Sequence, residues 1–428
     1  MRRPPSTNAS LTGNLRGPFG LLWAGQSVSM LGDGVFLVAF TWQIAVEWRQ
    51  PALLGLLLSA RVLAELAVLG LGGWIIDRLS RRTTILIADG GRSLLLFGLA
   101  AALYRPPPIL ALALLVIAYG VLTALFRPAL VAYVPEVVPR ERLAAANSLL
   151  SLSSQAALLL GPALGAGLVG LGSATAALRL DGLTFLLAAA SAVPLPSRAP
   201  ASSGVSPLAQ AVEGFRTARR VGWVGGTILI CSLTNLGVIG AERLALPRAA
   251  EERYGQLGGY GAVLVALGAG AVVAALLTGR STPAGQSGRT AYGGVMLLGL
   301  ATVAFGLVRG IVPAVMVGFA FGFGQELFEI LWTTGLQRCV PDRLLGRISA
   351  VDHFGSFLFL PLSFAFGGLV VQAVGPRLVL IGAGALGIAL AAIGLSVPAL
   401  HRWVPFADVT ARVPPERVRL SGGLEPVD

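Results

Sequence analysis

The sequence predicts an all-α membrane protein, with twelve transmembrane helices arranged as two six-helix bundles. Three observations carry that expectation. Of 428 residues, 55% are hydrophobic and only 12% charged, and the mean hydropathy of +0.78 lies far to the apolar side of an ordinary soluble domain. The apolar residues fall in continuous runs close to the ~20 needed to cross a bilayer core, without the period-two alternation of a membrane β-barrel. Finally, a short internal repeat relates the two halves of the chain.

Taken in order, the spans fall at 19–46, 52–76, 84–104, 107–127, 143–171 and 174–194, then at 222–245, 257–278, 291–308, 311–334, 349–373 and 376–400, each bounded by polar, Gly or Pro residues. The basic, polar segment 1–18 leads into the first span without a small-residue cleavage site, so that helix is expected to stay rather than leave as a signal peptide. Residues 19–196 make one bundle and 222–400 the other, with 401–428 as a tail. The linker, 197–221, mixes Pro, Ser and Gly with an amphipathic piece. The repeat aligns LFRPALVAYVPE (125–136) with LWTTGLQRCVPD (331–342), about half the chain apart and each at the rim of a span. Parallel six-helix repeats about an axis along the membrane normal are one of the transporter architectures.

Lysine is absent, so every fixed positive side chain is a guanidinium. The arginines gather at the N-terminus, in the gaps 77–83, 128–142, 195–221, 279–290 and 335–348, and in the tail, whereas the opposite side holds only Arg49, Arg105, Arg248, Arg253, Arg309 and Arg377. The positive-inside rule therefore predicts a multi-pass protein of the cytoplasmic (inner) membrane with both termini cytoplasmic. The net charge of +12 comes without a long basic run or an aromatic-interleaved stripe, which argues against a nucleic-acid partner. Cys231 and Cys339 lack metal-ligand spacing. With only His353 and His401, and with no H-E-x-x-H, G-x-S-x-G or G-x-x-x-x-G-K-[ST], the chain has neither a hydrolytic site nor its own ATP drive. The expected partners are a small-molecule substrate, a coupling ion and the bilayer. The chain is expected to act as a monomer without a cofactor.

Two stretches stand out. GGWIIDRLSRR (72–82) closes the second span with Gly73, Asp77, Arg78, Arg81 and Arg82. Glycines at a helix end admit a neighbouring backbone, an acid there suits the positive end of an adjacent helix, and the arginines suit lipid headgroups or carboxylates. A topology signal alone would need the arginines but not Asp77. In the fifth span, Gly161, Pro162, Gly165 and Gly167 combine a missing hydrogen bond with a small-residue groove. Generic helix packing would use the same residues.

Ionisable side chains within the spans are functional candidates because they are expensive there. Asp33 lies midway along the first span among Gln26, Ser27 and Ser29, as a proton-binding carboxylate reachable from both faces would; the alternative is a structural hydrogen bond. Arg61 and Glu65, four apart in the second span, are expected to pair, either structurally or as a charge switch. Glu326 and Glu329 share one face of the tenth span with no basic residue in the same turn, which fits ion coupling or binding of a cationic substrate as well as a structural network. Asp89 with Arg92, and Arg179 with Asp181, read as structural span-end pairs, and Asp352 with His353 as a rim hydrogen bond or a proton relay. Phe36, Phe40, Trp42, Phe321, Phe323 and Trp332 are candidates for an aromatic cavity or for ordinary packing.

On these residues the chain resembles the major facilitator superfamily. The pattern Gly73-x-Ile75-x-Asp77-Arg78-x-Ser80-Arg81-Arg82 is similar to that family's loop-two/three signature, with serine in place of a second glycine. Together with Ala88-Asp89-x-x-Arg92 and the runs at 126–167 and 332–351, it resembles the bacterial exporter subgroup that contains the enterobactin exporter and macrolide efflux proteins. The resemblance implies an ion-driven, alternating-access carrier in which Asp77 meets the eleventh span near Ile348–Ala350 and an arginine of the fourth, for which Arg127 is the local candidate. Those contacts would latch the cytoplasmic side. Residues 161–167 resemble the superfamily's antiporter signature, with alanine at one glycine. The function expected is therefore a proton-coupled exporter of drugs or secreted metabolites, siderophore-like ones included, with an importer as the alternative and a non-transporting subunit or membrane enzyme behind it.

Overall fold

The computed structural model describes residues 17–71, 79–102, 108–139, 142–171, 173–197, 222–278 and 287–403. Within them are twelve helices long and apolar enough to cross a membrane. In the first half these are α1 (Pro18–Trp42, continued by a π-turn, Gln43–Glu47), α2 (Pro51–Leu71), α3 (Arg81–Ala102), α4 (Ile109–Val137), α5 (Leu143–Leu171) and α6 (Ala174–Ala192). The second half begins with α7, built from Gly222–Thr234, a π-turn at Asn235–Ile239, and Gly240–Arg253. It continues with α8 (Gln256–Thr278), α9 (Ser287–Leu307), α10 (Ile311–Cys339), α11 (Asp342–Phe357 and Leu360–Val374) and α12 (Pro376–Ser396), and ends in a short α13 (Pro398–His401). Helix is the form such runs must take, because hydrocarbon cannot satisfy an open backbone. Prolines stand at the starts of α1 and α12, where the missing N–H costs nothing, and Gly375 turns the chain between α11 and α12 at φ 82°.

The expected boundaries fail where proline was read as a stop. The fourth span was expected to end at 127, but α4 runs on through Pro128 and Pro135 to Val137. The seventh likewise passes Pro247 to reach Arg253, so Arg248 and Arg253 sit on a helix rather than in a loop. In a packed bundle, neighbouring helices and side chains satisfy the carbonyls that a proline frees. The repeat is visible as geometry, since α4 and α10 are both 29 residues long and carry the two aligned segments toward the same end. The linker 198–221 lies outside the described residues.

We call the end of the bundle at Pro18 proximal and the end at Trp42 distal. Most contacts that join the halves are distal. The Thr41 and Tyr260 hydroxyls are 3.3 Å apart, Trp42 stacks on Tyr260 at 5.9 Å, and Arg49 reaches Glu251 at 4.0 Å. Gly55 lies against the Phe364 carbonyl, Gly368 against Pro51, and Gly261 against Ala166. One large apolar cluster draws on both halves there, with Leu54 and Leu57 beside Leu244 and Phe364. The proximal clusters each belong to one half, Leu22, Ile85 and Tyr133 in the first and Trp223, Trp332 and Ile348 in the second. The halves are thus fused distally by apolar burial and held separately at the proximal end.

Candidate functional site

Between the halves, α1, α2 and α4 present a polar group in an otherwise apolar setting. Asp33 is exposed on α1, and its Oδ1 accepts from the Tyr119 hydroxyl at 3.0 Å. The Tyr119 ring stacks on Phe36 at 5.1 Å. Across these rings lies the Arg61 guanidinium, 5.2 Å from Tyr119 and 5.8 Å from Phe36, and its Nε donates to Glu65 at 2.8 Å. Gly120 permits this arrangement, because a Cβ there would stand 2.6 Å from the Arg61 carbonyl oxygen. Arg61 is therefore held by one carboxylate and two aromatic faces while its side chain stays 26% exposed. Neither Tyr119 nor Gly120 was singled out from the sequence. The signal was a hydroxylated aromatic and a glycine side by side in a span.

The opposing group comes from α10 and α11. Glu326 accepts from Gln155 Nε2 of α5 at 3.5 Å, a bond between the halves near mid-depth. Glu329 is exposed, with Asp352 and Glu326 close enough to act on its charge. Asp352 accepts from Trp332 Nε1 at 3.0 Å and from the Ser356 hydroxyl at 3.2 Å. Among the described residues no cluster of His, Cys, Asp and Glu is arranged to hold a metal. The aromatics proposed for a cavity are mostly packing, since Phe40, Phe321 and Trp332 are at most 2% exposed.

A second polar set is buried inside the first half. Asp89 accepts from Gln26 Nε2 at 2.9 Å and from Arg92, whose guanidinium lies 4.3 and 4.1 Å from the rings of Phe126 and Phe185. These are not span-end groups, because Asp89 and Arg92 sit eight and eleven residues inside α3, with side chains 0% and 3% exposed. The Arg179–Asp181 pairing is also corrected. Residues two apart on a helix face opposite ways, so Asp181 is fully buried on α6 while Arg179 is exposed.

Of the gate residues, Gly73, Asp77 and Arg78 lie outside the described residues. Arg127 is exposed but lies ten residues inside α4, not at its end. The eleventh helix begins at Asp342, so Ile348–Ala350 lies in its second and third turns, where the amides are already bonded and the positive end of the dipole has passed. Arg81 donates to the Ala132 carbonyl and to Glu136 at 2.7 Å, tying α3 to α4. Arg82, read as a headgroup anchor, donates instead to the carbonyls of Ala192 and Val193 at the C-terminal end of α6. Ser80, which replaces the pattern's glycine, accepts from the Thr83 amide at 3.2 Å and so caps α3.

The glycine motif of α5 packs on α1 beside Asp33. A Cβ at Gly161 would stand 2.8 Å from Gly34 Cα, and one at Gly165 would be 3.0 Å from Val35 Cα. Gly161, Pro162 and Gly165 are buried, whereas Gly167 is exposed with nothing in reach. The motif thus sets the distance between α5 and the helix that carries Asp33.

Residues 22–359 match the family model described as Major Facilitator Superfamily. The enterobactin exporter EntS of Shigella boydii serotype 4 (strain Sb227) is 27% identical over 339 residues, covering 78% of this chain and 80% of that protein, and EntS of Escherichia coli (strain SE11) matches with the same identity and coverage. The crystal structure of nucleoside transporter NupG is alike in fold, with a TM-score of 0.69 at 11% identity over 89% of this chain and 98% of that one. Peptide transporter POT in complex with sulfate gives 0.68 at 14% identity over 90% and 95%. With a family model covering most of its length and twelve apolar helices in two bundles, the chain belongs to the major facilitator superfamily and is a membrane transporter, not an enzyme.

Proposed function

We propose that this transporter is a proton-coupled exporter of amphipathic small molecules, drugs or secreted metabolites among them, in the cytoplasmic membrane with its proximal end inside. The observation that carries the reading is the pairing of carboxylates on the two halves, the exposed Asp33 against Tyr119 on one side and the half-buried Glu326 with the exposed Glu329 on the other. Carboxylates in that position bind a proton or a cationic or hydrogen-bonding cargo in turn. Protons arriving from outside discharge a carboxylate for the return step, and their release inside frees it for the next molecule, so inward proton flow drives outward transport. The distal seal and the separate proximal clusters support a carrier that alternates between two openings, and Asp77 belongs to the latch that closes the proximal one. Similarity to enterobactin exporters favours export over import and keeps siderophore-like cargo in view. No cofactor is needed, because the gradient supplies the drive, and a single chain suffices.

The test is a panel of dyes, drugs and siderophores in proteoliposomes. Addition of a substrate should move protons, and an imposed proton gradient should drive that substrate opposite to the proton flow. Transport indifferent to the gradient would reject Asp33, Glu326 and Glu329 as the coupling set, and cells that gain rather than lose substrate would reverse the direction. Asp77→Asn should abolish transport while folded protein remains in the membrane.

A further inference from the structure

The buried set inside the first half carries more charge of one sign than the other. Arg92 is its one cation among the described residues, and it faces Asp89 from α3 and Asp181 from α6. Asp89 uses both oxygens as acceptors, Oδ1 for Arg92 and Oδ2 for Gln26, and so is held as the carboxylate. Asp181 differs. Its Oδ1 lies 3.1 Å from the Thr184 hydroxyl, whose single proton has the Asp181 carbonyl oxygen nearer at 2.7 Å, and its Oδ2 is buried without a hydrogen-bond partner. A carboxylate at zero exposure with an idle oxygen and no second cation is disfavoured, whereas a carboxylic acid there leaves the set neutral.

Asp181 also lies beside the route to the central space. Its carboxyl group presses on α1 at Gly32, where a Cβ would stand 3.1 Å from Asp181 Cγ. The next residue is Asp33, exposed between the halves. Both carboxyl groups lie within electrostatic reach of the Tyr119 hydroxyl, which donates to Asp33. The titratable groups facing Asp181 are Asp33 from α1, Arg92 from α3, itself bound to Asp89, and Tyr119 from α4; α5 has none. We propose that Asp181 is a proton-binding site of the first half, exchanging its proton with the central space through Asp33. In the step itself the O–H bond on Asp181 breaks, the proton passes to the Asp33 carboxylate directly or through a water, and from there to water between the halves. No electron moves. The charge left on Asp181 then competes with Asp89 for Arg92, so loading and unloading the proton reorders the contacts among α1, α3 and α6.

This inference rests on the reading of the chain as proton-coupled, and the experiment separates the two. Infrared difference spectra of the full-length protein in lipid, recorded across pH, should show a protonated carboxyl band at neutral pH that is missing in Asp181→Asn and retained in Asp33→Asn. A band unchanged in Asp181→Asn overturns the proposal. In proteoliposomes with ethidium as the probe, Asp181→Asn should lose gradient-driven accumulation at least tenfold while keeping ethidium exchange in the absence of a gradient. Wild type that ignores the gradient would sink the coupling reading and leave the infrared result to judge Asp181. Should Asp181→Asn fail to fold, Asp181→Glu keeps a carboxyl group on a longer side chain, and the band should move in frequency or in the pH at which it is lost; a band that does not move overturns the proposal.

Discussion

Alanine at Gly161 should force α1 and α5 apart beside Asp33, and the structure gives the size of the effect. The new methyl would stand 2.8 Å from Gly34 Cα and 3.0 Å from the Leu31 carbonyl oxygen, where ordinary contact is 3.4–4 Å. Both neighbours are backbone, so no side chain can rotate away, and the helices must separate by about 0.5–1 Å. Overpacking of this kind costs about 1–3 kcal/mol. Alanine at Gly167, in the same motif but with nothing within 4 Å, meets no wall and gains the ~1 kcal/mol by which alanine exceeds glycine in a helix. The assay is the apparent Tm of each purified variant in the same detergent. Gly161→Ala should melt below wild type and Gly167→Ala at or above it. Because Gly34 follows Asp33 in the chain, Gly161→Ala should also lower transport. Equal Tm values for the two variants would refute the reasoning and return the motif to generic small-residue packing.

The two arginines held by aromatic faces should separate by burial. Arg92→Ala leaves Asp89 at 0% side-chain exposure with Gln26 but no cation, a loss of about 3–5 kcal/mol, so little monodisperse protein should survive size-exclusion chromatography; Arg61→Ala removes a partly exposed i,i+4 pair worth under about 1 kcal/mol and should leave the protein folded but impaired in transport. If Arg92→Ala purifies as well as wild type, the buried set is not the structural unit described. Gly261→Ala would place a methyl group 2.4 Å from the Ala166 Cβ across α5 and α8, inside the spacing of ordinary contact, and should lower the apparent Tm and slow transport; a variant that melts and transports like wild type would exclude a close distal seal at α5 and α8.

Much of the fold was legible because the bilayer leaves one solution for a continuous apolar run. Boundaries were less so, since Pro128, Pro135 and Pro247 look like terminators in sequence and are carried inside helices by their neighbours. The same limit applied to the polar residues. Arg61 and Glu65 could be paired from their spacing, because a helix places i and i+4 on one face. That Tyr119 would hold Asp33, or Gln155 reach Glu326, depends on which helices meet, and no local pattern encodes it.

The sequence by itself determined the membrane, the number of spans, the division into two halves and the presence of charged residues in and near the spans, all of which follow from hydropathy and from the cost of charge in hydrocarbon. Only the tertiary structure decided what those charges do. Asp33, read as a mid-span acid, and Asp181, read as the partner of Arg179 at a span end, take opposite settings, Asp33 exposed on α1 and Asp181 sealed beneath it. The difference arises from the rotation and packing of α1, α3 and α6 about one another, with Gly32 leaving the room that lets the Asp181 carboxyl group of α6 lie against α1 next to Asp33.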